Sequence, residues 1–165
     1  MRPFEESLFQ RLTAPQPLIQ VLLGPRQVGK TTAMLRLLER WNDAKHFVSA
    51  DDTLQSSQMW LTEHWLAAQS KGNNSLLIVD EVQRVPDWSR VVKGLWDQAN
   101  RKGQSFRVVL LGSSSLDLQR CLSESLAGRF ELTFAPHWGF HESAAEFNYT
   151  LDDWLRWGGY PGAEP

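Results

Sequence analysis

Apolar positions recur along this chain in two periods, and the alternation between them outlines its architecture. Leu18, Ile19, Val21, Leu22 and Leu23 form a run broken only by Gln20, which predicts a strand buried on both faces. The spacing then changes to three and four: Met34, Leu35, Leu37, Leu38 and Trp41 mark one side of a helix that ends near Asn42 and Asp43. Further buried strands are predicted at 76–79 (LLIV) and 108–111 (VVLL), with an edge strand at 46–50 and a last, alternating strand at 130–134 that Pro136 stops. Between them fall helical patterns at 57–69 and at about 88–100, and one that ends at Gly128 and Arg129. Phe4, Leu8 and Leu12 predict a short helix before Pro15 and Pro17; shorter helices are expected at 141–147 and 151–157. Strands alternating with helices predict an α/β fold with a parallel sheet.

The joint between the first strand and its helix carries chemistry. Residues 24–31 (GPRQVGKT) fit G-x-x-x-x-G-K-[ST] at every fixed position. Gly24 and Gly29 let the backbone curl so that successive N–H groups point inward, a cradle for phosphate oxygens at the positive end of the helix. Lys30 is placed to reach the β and γ phosphates, and Thr31 to offer its hydroxyl to Mg²⁺. Gly24, Pro25, Arg26, Gln27, Val28, Gly29, Lys30, Thr31 and Thr32 are therefore the candidate nucleotide-binding segment.

The strand at 76–79 runs into Asp80 and Glu81, at the carboxyl end where open α/β sheets place their chemistry. Asp80 is the second candidate Mg²⁺ ligand, and Glu81 the candidate base that orients a water at the γ phosphate. The third run ends in Gly112 and a serine cluster, of which Ser113 or Ser114 can sense the γ phosphate, while Ser115 with Asp117 suits a helix cap. Arg129 suits two roles, capping a helix end or reaching a nucleotide held by a neighbouring subunit. Asp51 and Asp52 can bind metal, but Asp52 with Gln55 also matches a capping pattern, which is favoured. Arg84, Arg90, Lys93, Arg101, Lys102 and Arg107 make either a strip for DNA or a protein, or a solvated face.

Composition narrows the classes. At 165 residues the chain suits one domain, and a net charge of −2 gives no global attraction to nucleic acid or anionic membrane. Cys121 is the lone cysteine, which points to a reducing cytosol and a cytoplasmic protein. His137 and His141 lack partners for a four-ligand metal site and are read as structural. Glu5 and Glu6 fall where a signal peptide needs an apolar run, so no membrane role is expected. Eight tryptophans invite a stacking surface, yet Trp41, Trp60, Trp65, Trp88 and Trp96 sit in helical patterns that predict packing.

With both motifs placed, the sequence resembles the AAA-like P-loop ATPases of bacteria and archaea that carry a C-terminal domain of unknown function. The words that carry the likeness are GPRQVGKTT at 24–32, LLIVDEVQRVPDW at 76–88, LLGSSSLDL at 110–118, ESLAGRF at 124–130 and WGGYP at 157–161. The resemblance implies a three-layer α-β-α P-loop NTPase with a parallel five-stranded sheet in the order 5-1-4-3-2. It makes Asp80 and Glu81 the Walker B acids, Ser113 or Ser114 the first sensor, and Arg129 the arginine-finger region of a homo-oligomer. It sets Asp51 and Asp52 far from the nucleotide. It also implies a core at 1–157, its first twelve residues a helix, and at 158–165 the start of a linker to a further domain that is absent here.

The expected function is Mg-dependent binding and hydrolysis of ATP as a switch or motor for a partner, with ATP and Mg²⁺ as cofactors. The alternatives are a nucleotide-gated module that holds DNA or protein with negligible hydrolysis and, behind it, a small-molecule kinase, for which no arginine-rich lid is evident.

Overall fold

The computed structural model describes residues 2–51, 57–104, 106–113 and 116–160. Ser114, Ser115, the Asp52–Gln55 capping pattern, residues 161–165 and the side chains of Asp117 and Cys121 lie outside the described residues. Five strands, β1 (Ile19–Gly24), β2 (Lys45–Ser49), β3 (Leu76–Asp80), β4 (Arg107–Ser113) and β5 (Phe130–Phe134), form one sheet in the order β2-β3-β4-β1-β5. Every pairing is parallel. Read from the β5 edge, this is the 5-1-4-3-2 order that the resemblance implied.

The two-residue period of a strand divides each central run between two cores. Val21, Leu23, Leu77, Val79, Val108 and Leu110 face one side, where they meet α3 (Gln58–Gln69), α4 (Trp88–Arg101) and α5 (Leu116–Ser125). Leu22, Leu76, Ile78, Val109 and Leu111 face the other, covered by α1 (Pro3–Leu12) and α2 (Lys30–Arg40). Two short helices follow β5, α6 (Phe140–Phe147) and α7 (Leu151–Trp157). Among the described residues no helix is long and apolar enough to cross a membrane.

Trp41, Trp65, Trp88 and Trp96 are buried as their spacing predicted, and Trp60 is half-buried. Trp65 stacks edge-on to Phe106 at 5.0 Å, and its Nε1 has no partner among the described residues. Burying a tryptophan contributes about 4–6 kcal/mol at ~25 cal/mol per Å², against about 1–3 kcal/mol for the unmet N–H. Packing wins.

Two local expectations change. Ser57 caps α3 by accepting the Trp60 N–H at 3.1 Å, whereas Asp51 turns into the cleft described below. Arg107 leaves the basic strip: it is 9% exposed, and its Nε donates to the Leu12 carbonyl at 2.8 Å.

Candidate nucleotide site

The loop between β1 and α2 is shaped by backbone that few residues tolerate. Gln27 and Gly29 take left-handed φ values of 63° and 89°, which glycine adopts freely and glutamine only at a cost. Gly24 is required for space, because a Cβ there would come within 2.3 Å of the Ala135 carbonyl oxygen. The curl leaves a cleft of about 490 Å³ bordered by Arg26, Gln27, Lys30, Thr31 and Thr32 from the loop and by Glu81 from beyond β3.

Lys30 is 6% exposed, and its Nζ donates to the carbonyls of Gly24 at 2.9 Å and Pro25 at 2.6 Å. Burial holds its ammonium below the usual lysine range, against the nearby carboxylates of Glu81 and Asp80, which raise it. A buried cation whose hydrogen bonds go to two carbonyls could exchange them for an anion of higher charge.

The acids meet the loop directly. Thr31 Oγ1 donates to Asp80 Oδ2 at 2.7 Å, and the Glu81 N–H donates to Asp80 Oδ1 at 2.8 Å, so both carboxylate oxygens are fixed. Glu81 itself has a left-handed backbone, φ 51°, which turns its side chain out of the strand direction into the cleft. There its carboxylate accepts a short hydrogen bond from the Gln83 amide. Ser113 pairs with Gly24 in the β4–β1 register and so ends its strand beside the loop.

Arg129 lies elsewhere. Its carbonyl accepts the Ile19 N–H at the start of β1, the opposite end from the loop. Its guanidinium donates to both carboxylate oxygens of Asp97, at 2.7 and 3.1 Å, and to the Ala127 carbonyl at 3.1 Å.

Two features around the loop carry no local motif signal in the sequence. Asp51 lines it and forms an ion pair with Arg84, on the turn Val82–Arg84 that follows Glu81. This corrects the expectation that Asp51 stands far from the nucleotide: β2 pairs with β3, with Ser49 opposite Asp80, so Asp51 emerges at the same end of the sheet. Arg84 likewise leaves the basic strip. The second feature is Trp138, in the segment between β5 and α6, whose Nε1 donates to the Val28 carbonyl at 3.0 Å. A large aromatic outside any helical period was the available signal.

A family model described as an AAA domain matches residues 16–144. The uncharacterized protein Rv2008c of Mycobacterium tuberculosis is 39% identical over 114 residues, which cover 69% of this chain and 24% of that protein. The uncharacterized protein MJ1544 of Methanocaldococcus jannaschii is 25% identical over 87% of this chain and 35% of its own length. The chain thus spans about a quarter to a third of the length of these curated relatives. Among solved structures, the Thermotoga maritima RuvB Holliday junction branch migration motor superposes with a TM-score of 0.59 at 15% identity, over 90% of this chain and 52% of that one. That likeness concerns the fold. With the matched segment spanning the loop, both acids and all five strands, the chain belongs to the AAA domain family, which supports a nucleotide-binding function of the ATPase type.

Proposed function

We propose that this chain binds ATP with Mg²⁺ and hydrolyses it, acting as a switch or motor for a partner. The observation that carries this reading is the 2.7 Å hydrogen bond from Thr31 to Asp80, which joins the glycine loop and the acid pair at one point. A hydroxyl and a carboxylate are hard oxygen donors of the kind Mg²⁺ takes, so the residues present fit the ion, and Thr31 and Asp80 would hold it. When bound there, the ion supplies positive charge against the phosphate oxygens.

The chain's own groups account for the rest. Loop N–H groups bind phosphate, and Lys30 turns from the Gly24 and Pro25 carbonyls toward the β and γ oxygens. Glu81 accepts a proton from a water whose oxygen bonds to the γ phosphorus, while the bond to the β–γ bridging oxygen breaks and leaves ADP and phosphate. Ser113 can donate to the γ phosphate. A cavity of about 190 Å³ adjoins the loop at Gly29 and Thr32; Ala33, Trp138 and Phe147 in its wall suit the flat face of a base, and the charged Arg36 and Glu146 its polar edge. Arg129 belongs to this reading only as a residue offered to a second copy.

One observation favours the alternative, a nucleotide-gated binding module with negligible hydrolysis. The Gln83 amide donates to the Glu81 carboxylate, which would have to give up this partner to reach a water. Phosphate release from ATP, with and without Mg²⁺, separates the two readings when wild type is compared with Glu81→Gln. Hydrolysis predicts a fall of about 10² or more in turnover with nucleotide affinity kept. Equal turnover in the two proteins removes Glu81 as the base, and negligible turnover in both with tight binding favours the module.

A further inference from the structure

The phosphate loop is held from behind at a single atom. The Val28 carbonyl accepts two hydrogen bonds, from Arg2 Nη1 at 3.0 Å and from Trp138 Nε1 at 3.0 Å. Both donors come from far along the chain. Val28 stands between the left-handed residues Gln27 and Gly29, where a peptide that flipped would aim its carbonyl at the phosphates and remove an N–H from them. Such a flip requires both hydrogen bonds to break.

The clamp is itself fixed. Arg2 is 3% exposed, and its guanidinium also donates to the Pro136 carbonyl at 2.9 Å and to Glu142 Oε1 at 3.0 Å, while stacking over the Trp138 ring at 4.8 Å. Burial pulls the Glu142 carboxyl upward, but hydrogen bonds from Arg2 and from the Gly139 N–H outweigh it and hold the group below the usual carboxylate range. Glu142 therefore stays ionised opposite Arg2. The Trp138 main chain is bonded on both sides: its N–H donates to the Gly159 carbonyl at 3.0 Å, and its carbonyl accepts the Trp154 Nε1–H at 3.2 Å. A Cβ at Gly159 would lie 2.3 Å from that carbonyl oxygen, so only glycine lets the segment after α7 approach so closely.

We propose that Arg2 and Trp138 are positioning residues for nucleotide binding, which lock the Val28 carbonyl outward and so keep the loop's N–H groups turned toward the phosphates. The inference rests on the nucleotide reading above. Ordinary core packing is the competing account. It predicts lost stability without a selective loss of affinity for phosphates.

The test measures dissociation constants for ADP and for inorganic pyrophosphate, together with melting temperature. Trp138→Phe keeps the ring but removes the Nε1 donor; Arg2→Lys keeps a charge beside Glu142 but loses the planar fork. Arg107→Lys, at the far end of the sheet, serves as the control for a buried arginine with no part in the loop. Trp138→Phe is expected to weaken both ligands about fivefold, the worth of one neutral hydrogen bond, and Arg2→Lys about tenfold or more. Arg107→Lys is expected to lower the melting temperature and leave both affinities unchanged. Pyrophosphate carries no base, so weakened ADP binding with unchanged pyrophosphate binding traces the effect to the base cavity and overturns the clamp. So does unchanged affinity for both ligands, or a loss in Arg107→Lys that matches its loss of stability. Should Trp138→Phe fail to fold, Arg2→Lys decides alone. A wild-type chain that binds no ADP sinks the nucleotide reading and the clamp together, whereas wild-type binding with both variants unaffected sinks the clamp only.

Discussion

The two ends of the sheet handle charge in opposite ways. At the carboxyl end Lys30 and Asp80 are each 6% exposed and held by fixed partners, two carbonyls for the amine, a hydroxyl and an N–H for the acid. At the amino end Arg129 and Asp97 are each 31% exposed and hold each other in a two-pronged pair that solvent reaches. Burying a charge is costly unless it is satisfied. A chain that keeps two buried charges at one end, beside backbone in left-handed conformations at Gln27, Gly29 and Glu81, accepts a local cost in stability there, the pattern expected of a functional site. The amino end shows no such outlay in its ion pair. The ends are separated by the length of β1, roughly 16 Å at 3.3 Å per residue, so Arg129 cannot serve the site of its own chain.

The largest effect is expected at Lys30. Lys30→Ala is expected to abolish measurable ADP and ATP binding in titration calorimetry, because it removes the cation that answers the phosphates. The fold should persist, since losing the two hydrogen bonds to the Gly24 and Pro25 carbonyls is offset by removing a cation whose burial is costly. Affinity within twofold of wild type would discard the site at this end of the sheet.

Much of that end is legible in sequence because its chemistry is local. The spacing of Gly24, Gly29, Lys30 and Thr31 encodes a curl and a helix start within eight residues, and the unbroken run before Asp80 encodes a buried strand with an acid at its tip. Strand order came from family resemblance, because no periodicity states which strands pair. What stayed hidden depends on contacts between distant segments. Trp138 and Arg2 reach Val28 across 110 and 26 residues, and side chains so far apart leave no shared period. Following an edge strand suggested that Asp51 stands far from the nucleotide, whereas the β2–β3 register, which no local pattern reports, brings it to the cleft. Arg107 was assigned to an exposed strip because its charge suggested solvent, while its position opening a strand against the Leu12 carbonyl buries it.

Arg129 sharpens the contrast with a smaller effect. Arg129→Ala is expected to leave ADP affinity unchanged at any protein concentration. If a second copy uses the residue, wild-type turnover per chain rises with concentration and the variant's does not. Turnover independent of concentration, and equal in the two proteins, reduces Arg129 to a structural residue that pairs with Asp97 and closes the turn after α5 through the Ala127 carbonyl. A loss of affinity in dilute Arg129→Ala would contradict the separation of the two ends.

The smallest effect belongs to the sheet's outer edge. His46 on β2 and His64 on α3 share a 2.9 Å hydrogen bond between ring nitrogens, with Lys71 Nζ 3.5 Å from His46. Burial lowers both pKa values below the ordinary 6.5, helped at His46 by Lys71 and His64 and opposed at His64 by Glu63. The unfolded chain thus takes up protons at a higher pH than the folded one. Stability from this pair is complete above about pH 6.5 and falls as the pH drops through the lowered folded values. Both rings are partly solvated, so the pair's share stays below about 1 kcal/mol. Carboxylates titrate in the same direction at lower pH, and the variant His64→Gln isolates the histidines: between pH 7.5 and 5.5 its melting temperature should fall less steeply than that of wild type. Its ADP affinity at pH 7.5 should match wild type, since neither ring lines the cleft. Parallel melting curves would show that the pair carries no proton linkage, and the sheet's edge would then join the amino end as a surface whose charges are screened by water.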